Sequence, residues 1–333
     1  MVHKQLPQTL ATQRQLLHYL ANGEVYSGEW LAEQLGISRA AVAKHIDQLQ
    51  QLGLDIYAMK AKGYRLAAPI RLLDGAVMRQ HMQSVAPDVV VQHITDSTNS
   101  QLMNRLRDGN ALQSGFVLVA EAQTAGRGRR GNTWLSPFGS NLYFSMYWSL
   151  QRGLQAAMGL SLVIGVVVAE LLEEHYGIDV QLKWPNDIYI AGKKVGGILV
   201  ELAGQSHANC DVVIGLGLNM YLASAQREQI LQPVTALADH TAEIIDRNLL
   251  IPLLQQRLID ELQLFEADGF STYVERFNQR DCYRHQRVQI SGAQPLVGVC
   301  RGVDSQGALL LETAEGVQTL FGGEVSLRPE GLA

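Results

Sequence analysis

The sequence predicts an α+β fold made of three consecutive parts. A short helical part with a hairpin occupies residues 12–66, strands mix with a long apolar helix from about 85 to 280, and short strands separated by glycine-rich turns follow. Strand-rich segments with a large helix packed across them are typical of α+β proteins. A chain of 333 residues is long enough for two or three domains, each with its own core.

The composition, 47% hydrophobic and 18% charged residues, is that of an ordinary globular protein. No charge-free apolar run reaches the length of about 18 residues that a membrane-spanning helix needs, so we expect no membrane partner. The first residues lack the order of basic, apolar and small residues found in signal peptides. The three cysteines, Cys210, Cys282 and Cys300, have neither metal-binding spacing nor an even count, which favours a reducing, cytoplasmic location.

The net charge of −5 argues against nucleic-acid binding over the whole surface, but the charge is unevenly distributed. Residues 1–66 hold seven Lys or Arg and five Asp or Glu, whereas the remainder holds 20 and 27. A local DNA-binding face in the first part is therefore compatible with the composition.

The first part has the pattern of a winged helix-turn-helix. Apolar residues recur on one face of three helices, as burial requires. They are Leu16, Leu17 and Leu20, then Trp30, Leu31 and Leu35, then Val42, Ile46 and Leu49. Ser27 and Ser38 are suited to cap the second and third helices, and Gly36 and Gly53 to end them. The stretch LDIYAMKAKGYRL then alternates around a Lys-Gly turn, as a two-stranded wing does.

The third helix carries polar side chains that can reach phosphates and base edges. They are Ser38, Arg39, Lys44, His45 and Gln48. These side chains favour DNA binding over the alternative, a small protein-interaction domain with a solvated helix face. Pro69 marks a linker, so we place the winged helix-turn-helix domain at 1–68.

The second and third parts differ in their strand patterns. VVVQHI, GFVLVAEAQ, VQLKWPNDIYI, KKVGGILVEL and CDVVIGLGLNM predict strands of one sheet, and LQAAMGLSLVIGVVVAELLEEHYG predicts a long helix that Gly177 ends. HQRVQISG, LVGVCRGVD, GALLLET and GVQTLFGGEVSL predict a small SH3-like β-barrel. We therefore expect a central mixed-sheet domain at 84–280 and a C-terminal domain at 281–333.

The stretch GRGRRG at 126–131 combines three arginines with three glycines. Glycines let a backbone approach an anion closely, and arginine offers paired donors to a carboxylate or phosphate. An RNA-binding Gly/Arg segment normally repeats within a disordered tail, whereas this one is single and lies between strand patterns. The pattern favours binding of a small anion.

Three further stretches are candidates for the same kind of site. In KWPND, Lys183 places a cation at a strand end, although Asn186 and Asp187 also suit a plain turn. In GKKVGGILVE, a lysine before a glycine pair is a candidate anion binder, and in GLGLN, Asn219 is able to pair with a base. The chain has no complete dinucleotide, phosphate-loop, nucleophile-elbow or metal-binding motif.

Taken together and in this order, DSTN at 96–99, GRGRRG, KWPND and KKVGGILVE resemble the biotin–protein ligases. The helix-turn-helix in front resembles the bifunctional class that also represses the biotin operon, and the resemblance covers nearly the whole chain. It implies that ATP and magnesium convert biotin to biotinyl-5′-AMP, and that the biotinyl group then passes to a lysine of a biotin carboxyl carrier protein, as in acetyl-CoA carboxylase. It also implies that the adenylate acts as corepressor for a homodimer on operator DNA.

The resemblance also implies roles for individual residues. The biotin site would comprise Ser97, Thr98, Asn99, Gln123, Arg127, Gly128, Arg129 and Lys194. Lys194, Arg129 and Arg127 would be the catalytic cations, with Lys194 bridging the biotin carboxylate and the α-phosphate. Weaker assignments to ATP are Trp134, Lys183, Asn186, Asp187 and Asn219, with Asp187 as a candidate magnesium ligand and no dedicated metal site. The stretch after Asn219 matches the adenylate-ordered loop of the family, with Val234 where some members have an aromatic residue.

Three alternatives remain beside the bifunctional assignment. A ligase with a vestigial DNA-binding domain would not need Arg39, Lys44 and an intact wing. A ligand-sensing transcription factor with an inactive ligase domain would not need the complete cation set. A lipoate-type ligase would share the catalytic fold, but these enzymes do not usually combine GRGRRG with KWPND or carry this first domain.

Overall fold

The computed structural model describes residues 8–60, 62–67, 69–151, 159–205, 210–291, 296–321 and 326–329. Within them, strands form a two-stranded, a seven-stranded and a five-stranded sheet. The first part contains α1 (Gln8–Leu20), α2 (Gly28–Leu35), α3 (Arg39–Gln51), β1 (Ile56–Met59) and β2 (Gly63–Leu66). The order of helices and hairpin confirms the predicted winged helix-turn-helix.

Capping residues position the two helices of this motif. The Ser27 hydroxyl accepts a hydrogen bond from the Trp30 N–H at 3.1 Å, and the Ser38 hydroxyl accepts one from the Ala41 N–H at 3.2 Å. Gly36 ends α2 with a φ of 63°, which glycine adopts without steric cost. The turn between the helices is therefore specified by local sequence.

The prediction that Trp30 belongs to the core was wrong. Its side chain is on the surface, and its ring lies edge-on to Tyr19 with the ring centroids 5.1 Å apart. Leu31, which follows it, is fully buried and takes the core position. A tryptophan at the margin of an apolar helix face can pack sideways against another ring instead of pointing inward.

The winged helix and the central domain share one hydrophobic cluster. Ala122 and Phe138 of the central domain belong to the same cluster as the buried leucines of α1–α3. The Phe138 N–H donates to the carbonyl of Leu52, the C-cap residue of α3, at 3.1 Å, and the centroid of its ring lies 4.8 Å from that of His93. Burial, with a smaller effect of Arg14, lowers the pKa of His93 to about 4. Helix α3 therefore rests directly on the central domain.

The linker between these two parts is held by a buried ion pair. Glu121 and Arg247 are both buried, and their charged atoms are 2.8 Å apart. Glu121 also accepts from the Leu73 N–H at 2.5 Å, and Arg247 donates to the Arg71 carbonyl at 2.9 Å. The pair thus satisfies linker backbone groups, and breaking one half of such a pair typically costs about 3–5 kcal/mol.

The central domain is a seven-stranded sheet with helices on it. Its helices are α4 (Gly75–Gln80), α5 (Thr98–Arg107), α6 (Leu160–Tyr176), α7 (Ser224–Arg227), α8 (Arg247–Asp268) and α9 (Val274–Asn278). Its strands are β3 (Val89–Thr95), β4 (Val117–Gln123), β5 (Leu142–Leu150), β6 (Gln181–Lys183), β7 (Asp187–Ile190), β8 (Lys193–Gln205) and β9 (Cys210–Leu218). The order is β3-β4-β5-β9-β8-β7-β6, and only β3 and β4 pair in parallel among them.

The long apolar helix predicted before Gly177 is present as α6. It begins at Leu160 and ends at Gly177, whose φ is 63°. The earlier positions 154–158 of that prediction lie outside the described residues. Eleven residues of α6 are buried, which explains its nearly all-apolar sequence, because the helix is covered on most sides.

The C-terminal part is a five-stranded antiparallel sheet. Its strands are β10 (Arg287–Ser291), β11 (Leu296–Val303), β12 (Leu309–Thr313), β13 (Gly316–Leu320) and β14 (Ser326–Pro329), in the order β13-β12-β11-β10-β14. GVQTLFGGEVSL, taken as one short strand, supplies both β13 and β14. The open order fits the predicted SH3-like fold. Among the described residues, no helix has the length and apolar character needed to cross a membrane.

Candidate functional site

The motifs singled out in the sequence meet at one end of the seven-stranded sheet. Strand β4 ends at Gln123, just before the arginine loop, and β9 ends at Leu218, just before Asn219. Strand β8 begins at this same end, since Gly196 pairs with Leu218. The DSTN motif follows β3, whose last residue Thr95 pairs with Gln123, so four segments distant in sequence line one site.

A continuous hydrogen-bond network forms the inner wall of this site. The carboxamide oxygen of Gln123 accepts from the Thr98 N–H at 2.8 Å. The Ser145 hydroxyl lies 2.7 Å from Thr98 Oγ1 and 2.5 Å from Asn99 Oδ1. Asn99 Nδ2 in turn donates to Glu201 Oε2 at 2.9 Å. The network fixes the orientation of each amide, because every polar end has a partner.

Ser97, the first residue of the predicted biotin set, acts on the backbone. It is buried and caps α5, and its hydroxyl accepts from the Ser100 N–H at 3.4 Å. It thereby positions Thr98 and Asn99 at the first turn of the helix. Its effect on a ligand would be exerted through these two neighbours.

The arginine loop folds into a closed hairpin. The Gly128 N–H donates to the Asn132 carbonyl at 2.7 Å, and the Trp134 N–H donates to the Gly126 carbonyl at 2.9 Å. Arg130 lies at the tip with a φ of 57°, a left-handed conformation that is uncommon for residues other than glycine. The hairpin holds its flanking arginines above the network.

Two arginines of this loop already have partners in the site. Arg127 Nη2 lies 2.7 Å from Glu201 Oε2, and Arg129 Nη1 donates to Asn186 Oδ1 at 2.9 Å. Burial, together with the neighbouring Arg130, lowers the pKa of Arg129. Arg129 is thus a partly desolvated cation whose interaction with an anion is stronger than in water.

Of the two adjacent lysines, the structure turns Lys194 into the site. Its Nζ is 2.7 Å from Asp187 Oδ1 and lies over the ring of Trp134, 5.6 Å from the centroid, whereas Lys193 is exposed. The loop after Asn219 folds back here, since Lys194 and Val234 form a parallel bridge. The second lysine is therefore the one placed to meet an anion.

Glycines in β9 leave room for the site residues. A Cβ at Gly215 would lie 2.4 Å from Asn99, and a Cβ at Gly217 would lie 2.5 Å from Trp134. Real Cβ atoms do not approach other atoms so closely, so larger residues would displace these two side chains. Gly217 and its partner in β8, Gly197, form the glycine floor on which the Trp134 ring rests.

Three weaker assignments have protein partners in the structure. Lys183 Nζ donates to the Tyr189 hydroxyl at 3.3 Å, and Asn219 Nδ2 donates to the Thr235 carbonyl at 3.2 Å. Asn186 Nδ2 donates to the Ile198 carbonyl at 2.8 Å, while its oxygen holds Arg129. Asn186 is therefore placed to orient an arginine, and its part in reading adenine stays a prediction.

The expected DNA-contacting residues do not all face outward. Arg39 and Lys44 are exposed, whereas His45 is half-buried. Gln48 accepts from Gln13 of α1 at 2.9 Å, so it faces the first helix and differs from the expected outward position. Ser38 is engaged as the cap of α3. Arg39 and Lys44 remain the strongest candidates for contacts with DNA.

Sequence reasoning missed three site residues, namely Ser136, Ser145 and Glu201. Ser145 is fully buried in the apolar strand β5, and an isolated polar residue in such a strand was a usable signal. Glu201 closes the motif KKVGGILVE but received no role. Ser136 accepts from Gln123 Nε2 at 2.9 Å and has no distinctive pattern in the sequence.

Comparisons with known proteins agree with this geometry. Residues 91–219 match the Biotin/lipoate A/B protein ligase family, 12–65 match an HTH domain and 286–328 match the Biotin protein ligase C terminal domain. The Bifunctional ligase/repressor BirA of Salmonella typhimurium is 45% identical over 94% of this chain and 96% of its own length. The protein of the same description from Escherichia coli is 43% identical over the same shares.

A solved structure gives the same result for the catalytic part. The biotin protein ligase from Aquifex aeolicus, in complex with biotin and ATP, superposes with a TM-score of 0.61 at 30% identity. The match covers 73% of this chain and 99% of that chain. Together with a helix-turn-helix in front of the ligase domain, these similarities establish that the chain belongs to the bifunctional ligase/repressor family of biotin–protein ligases.

Proposed function

We propose that this protein activates biotin with ATP and transfers it to a lysine of a biotin carboxyl carrier protein. The observation that carries the proposal is the convergence of Arg127, Arg129 and Lys194 on one site, beside a Trp134 ring that rests on a glycine floor. Cations and N–H donors suit a carboxylate and a phosphate, and the half-buried aromatic ring suits a base. The predicted biotin residues from the DSTN motif and Gln123 form the adjoining wall.

In the first step, a biotin carboxylate oxygen attacks the α-phosphorus of ATP. The new O–P bond replaces the bond to the β-phosphate oxygen, so biotinyl-5′-AMP forms and pyrophosphate leaves. Two anions must approach each other, and Lys194 and Arg129 offset their repulsion by fixed positive charge. This need explains why the site is rich in cations and lacks a nucleophile motif.

In the second step, the amine of the carrier lysine attacks the acyl carbon of the adenylate. An amide bond forms, the bond between the acyl carbon and the phosphate oxygen breaks, and the amine loses a proton to solvent. AMP leaves with its charge held by the same cations. Because AMP is a good leaving group, no covalent intermediate with the protein is required. In this proposal, Arg127 of the arginine hairpin holds the anhydride region of the adenylate.

Magnesium would enter this site with the phosphates of ATP. Among the described residues, no group of three or more His, Cys, Asp or Glu side chains is arranged to hold a metal ion. A single carboxylate, Asp187, fits the usual pattern in which magnesium keeps several waters and takes one or two protein ligands. The bound metal would neutralise phosphate charge.

We further propose that the winged helix binds operator DNA in the cytoplasm, with biotinyl-5′-AMP as corepressor. Arg39 and Lys44 are exposed on α3, and the repressor relatives support this assignment. A homodimer would place two α3 helices in successive major grooves. The three-part division at 1–68, 84–280 and 281–333 is proposed with it, supported by the matched ranges.

A transfer assay tests the enzymatic proposal directly. The purified protein is mixed with ATP, magnesium, a biotin carrier domain and labelled biotin, with labelled lipoate in a parallel reaction. We expect acid-stable label on the carrier lysine from biotin alone. Transfer of lipoate instead would show that the substrate is wrong while the fold is right, and adenylate formation without transfer would favour a ligand sensor.

The regulatory part needs a separate measurement. Operator binding and protein mass in solution are measured with and without biotinyl-5′-AMP. We expect the adenylate to promote dimer formation and to tighten operator binding, since coupling between two ligands is reciprocal. A protein that stays monomeric and binds DNA equally well with and without adenylate would be a ligase only.

A further inference from the structure

The carboxylate of Glu201 lies between the arginine hairpin and the start of α5. One oxygen, Oε2, is 2.7 Å from Arg127 Nη2 and 2.9 Å from Asn99 Nδ2. The side chains of Arg127 and Glu201 are 43% and 22% exposed, so this ion pair is accessible to solvent. Asn99, by contrast, is buried. Glu201 therefore joins an accessible cation to the fixed wall of the site.

A carboxylate at this place opposes the binding of anions, because like charges repel at short range. The same arrangement occurs at Lys194, whose ammonium group pairs with Asp187. Each of these two cations thus carries an internal carboxylate. A ligand carboxylate or phosphate is an acceptor of the same kind, and an arginine fork with five N–H donors can exchange one such acceptor for another.

We propose that Glu201 is a positioning residue that holds Arg127 in the absence of ligand and releases it to the incoming carboxylate or phosphate. The inference rests on the proposed function, in which that anion is biotin or its adenylate. Glu201 keeps its hydrogen bond with Asn99 during the exchange, so the wall remains in place while the arginine moves. The internal pair lowers affinity for the anion and keeps Arg127 near the position where it acts.

The substitution Glu201→Gln isolates the charge. It keeps the length of the side chain and an oxygen that accepts from Asn99, but it removes the competition for Arg127. Exposed ion pairs have modest strength, so we expect biotin to bind about fivefold more tightly. Biotinamide, which has no carboxylate, should bind as it does to the unaltered protein.

The experiment compares three proteins by calorimetric titration with biotin and with biotinamide. They are the unaltered full chain, Glu201→Gln and the control Glu312→Gln, which removes an equal charge from an arginine pair in the C-terminal sheet. Tighter binding of biotin alone, and only in Glu201→Gln, is the expected result. Equal shifts for both ligands, no shift, or weaker binding of biotin would each overturn the proposal.

Two further measurements separate this proposal from a general effect on the wall. In an Arg127→Gln background, Glu201→Gln should no longer change the ratio of the two affinities; a persisting change would contradict the assigned partner. Without ligand, trypsin should cleave the hairpin at 126–131 faster in Glu201→Gln than in Glu312→Gln. An unchanged cleavage rate would also overturn the proposal that Glu201 holds Arg127.

The cleavage test keeps the two proposals distinguishable. If the unaltered protein binds neither biotin nor biotinamide, the proposed function fails. The trypsin comparison of the ligand-free proteins still decides whether Glu201 holds Arg127.

Discussion

Replacing Lys194 by alanine tests the central assignment of the site. Its ammonium group is 2.7 Å from Asp187, and both side chains are largely buried, at 14% and 18% exposure. Loss of one preorganised charge typically lowers kcat by about 10²–10³-fold. In this site the substitution also removes the ion-pair partner of Asp187. We therefore expect a loss of about 10³-fold or more in the rate of adenylate formation, or about 4 kcal/mol.

The assay is biotin-dependent exchange of labelled pyrophosphate into ATP, which reports the first step alone. Lys193→Ala is the matched control, because Lys193 is exposed and adjacent, and its exchange rate should stay within about twofold of the unaltered rate. Exchange by Lys194→Ala within about threefold of the unaltered protein would refute the role of this lysine.

The remaining predictions concern the pH dependence of stability, the binding of operator DNA, and Gly217 beneath the Trp134 ring. The pKa of His93 is about 4 in the folded chain, whereas its ordinary value, which applies to the unfolded chain, is 6.5. As the pH falls, the unfolded chain therefore takes up the proton at a higher pH than the folded chain. Stability should thus fall as the pH drops through 6.5 toward 4, by about 2 kcal/mol between about pH 7.5 and 5. In urea unfolding, His93→Leu should remove this pH-dependent part of the free energy of unfolding. An unchanged pH dependence would contradict the role of His93. Arg39→Ala combined with Lys44→Ala should weaken operator binding and reduce its salt slope by about two, while carrier biotinylation stays unchanged. Loss of ligation in that variant would argue against separate functions. Gly217→Ala should displace Trp134 and raise the KM for ATP about tenfold without affecting biotin binding, and an unchanged KM would exclude the ring from the nucleotide site.

Features encoded by neighbouring residues were predictable from the sequence. The caps Ser27 and Ser38, the left-handed Gly36 and the apolar helix ending at Gly177 all follow from short-range chemistry. The convergence of the anion-binding motifs was also expected, although from family resemblance rather than from spacing. The choice of Lys194 over Lys193 also came from that resemblance, and in the structure Lys194 lies beside Asp187 while Lys193 is exposed.

Features that depend on distant neighbours could not be predicted in this way. Gln48 faces Gln13 because α1 packs against α3, and a single helix pattern does not reveal which side a neighbour covers. Asn99, Ser145 and Glu201 form one network although about 100 residues separate the first from the last. The order in which the strands pair decides which polar residues meet, and the local hydrophobic periodicity of the sequence does not indicate that order.

The packing of Phe138 into the hydrophobic cluster of the winged helix has a consequence for exchanging DNA-binding domains between proteins. A foreign DNA-binding domain placed before residue 69 would have to pack against Phe138, whose native contacts are with the end of α3. The native domain, if excised at the same point, would lose Phe138 from its hydrophobic cluster. Successful chimeras in this family should therefore carry the segment around Phe138 along with the helices. The boundary that matters for recombination lies within the catalytic part, beyond the linker that separates the two domains in the sequence.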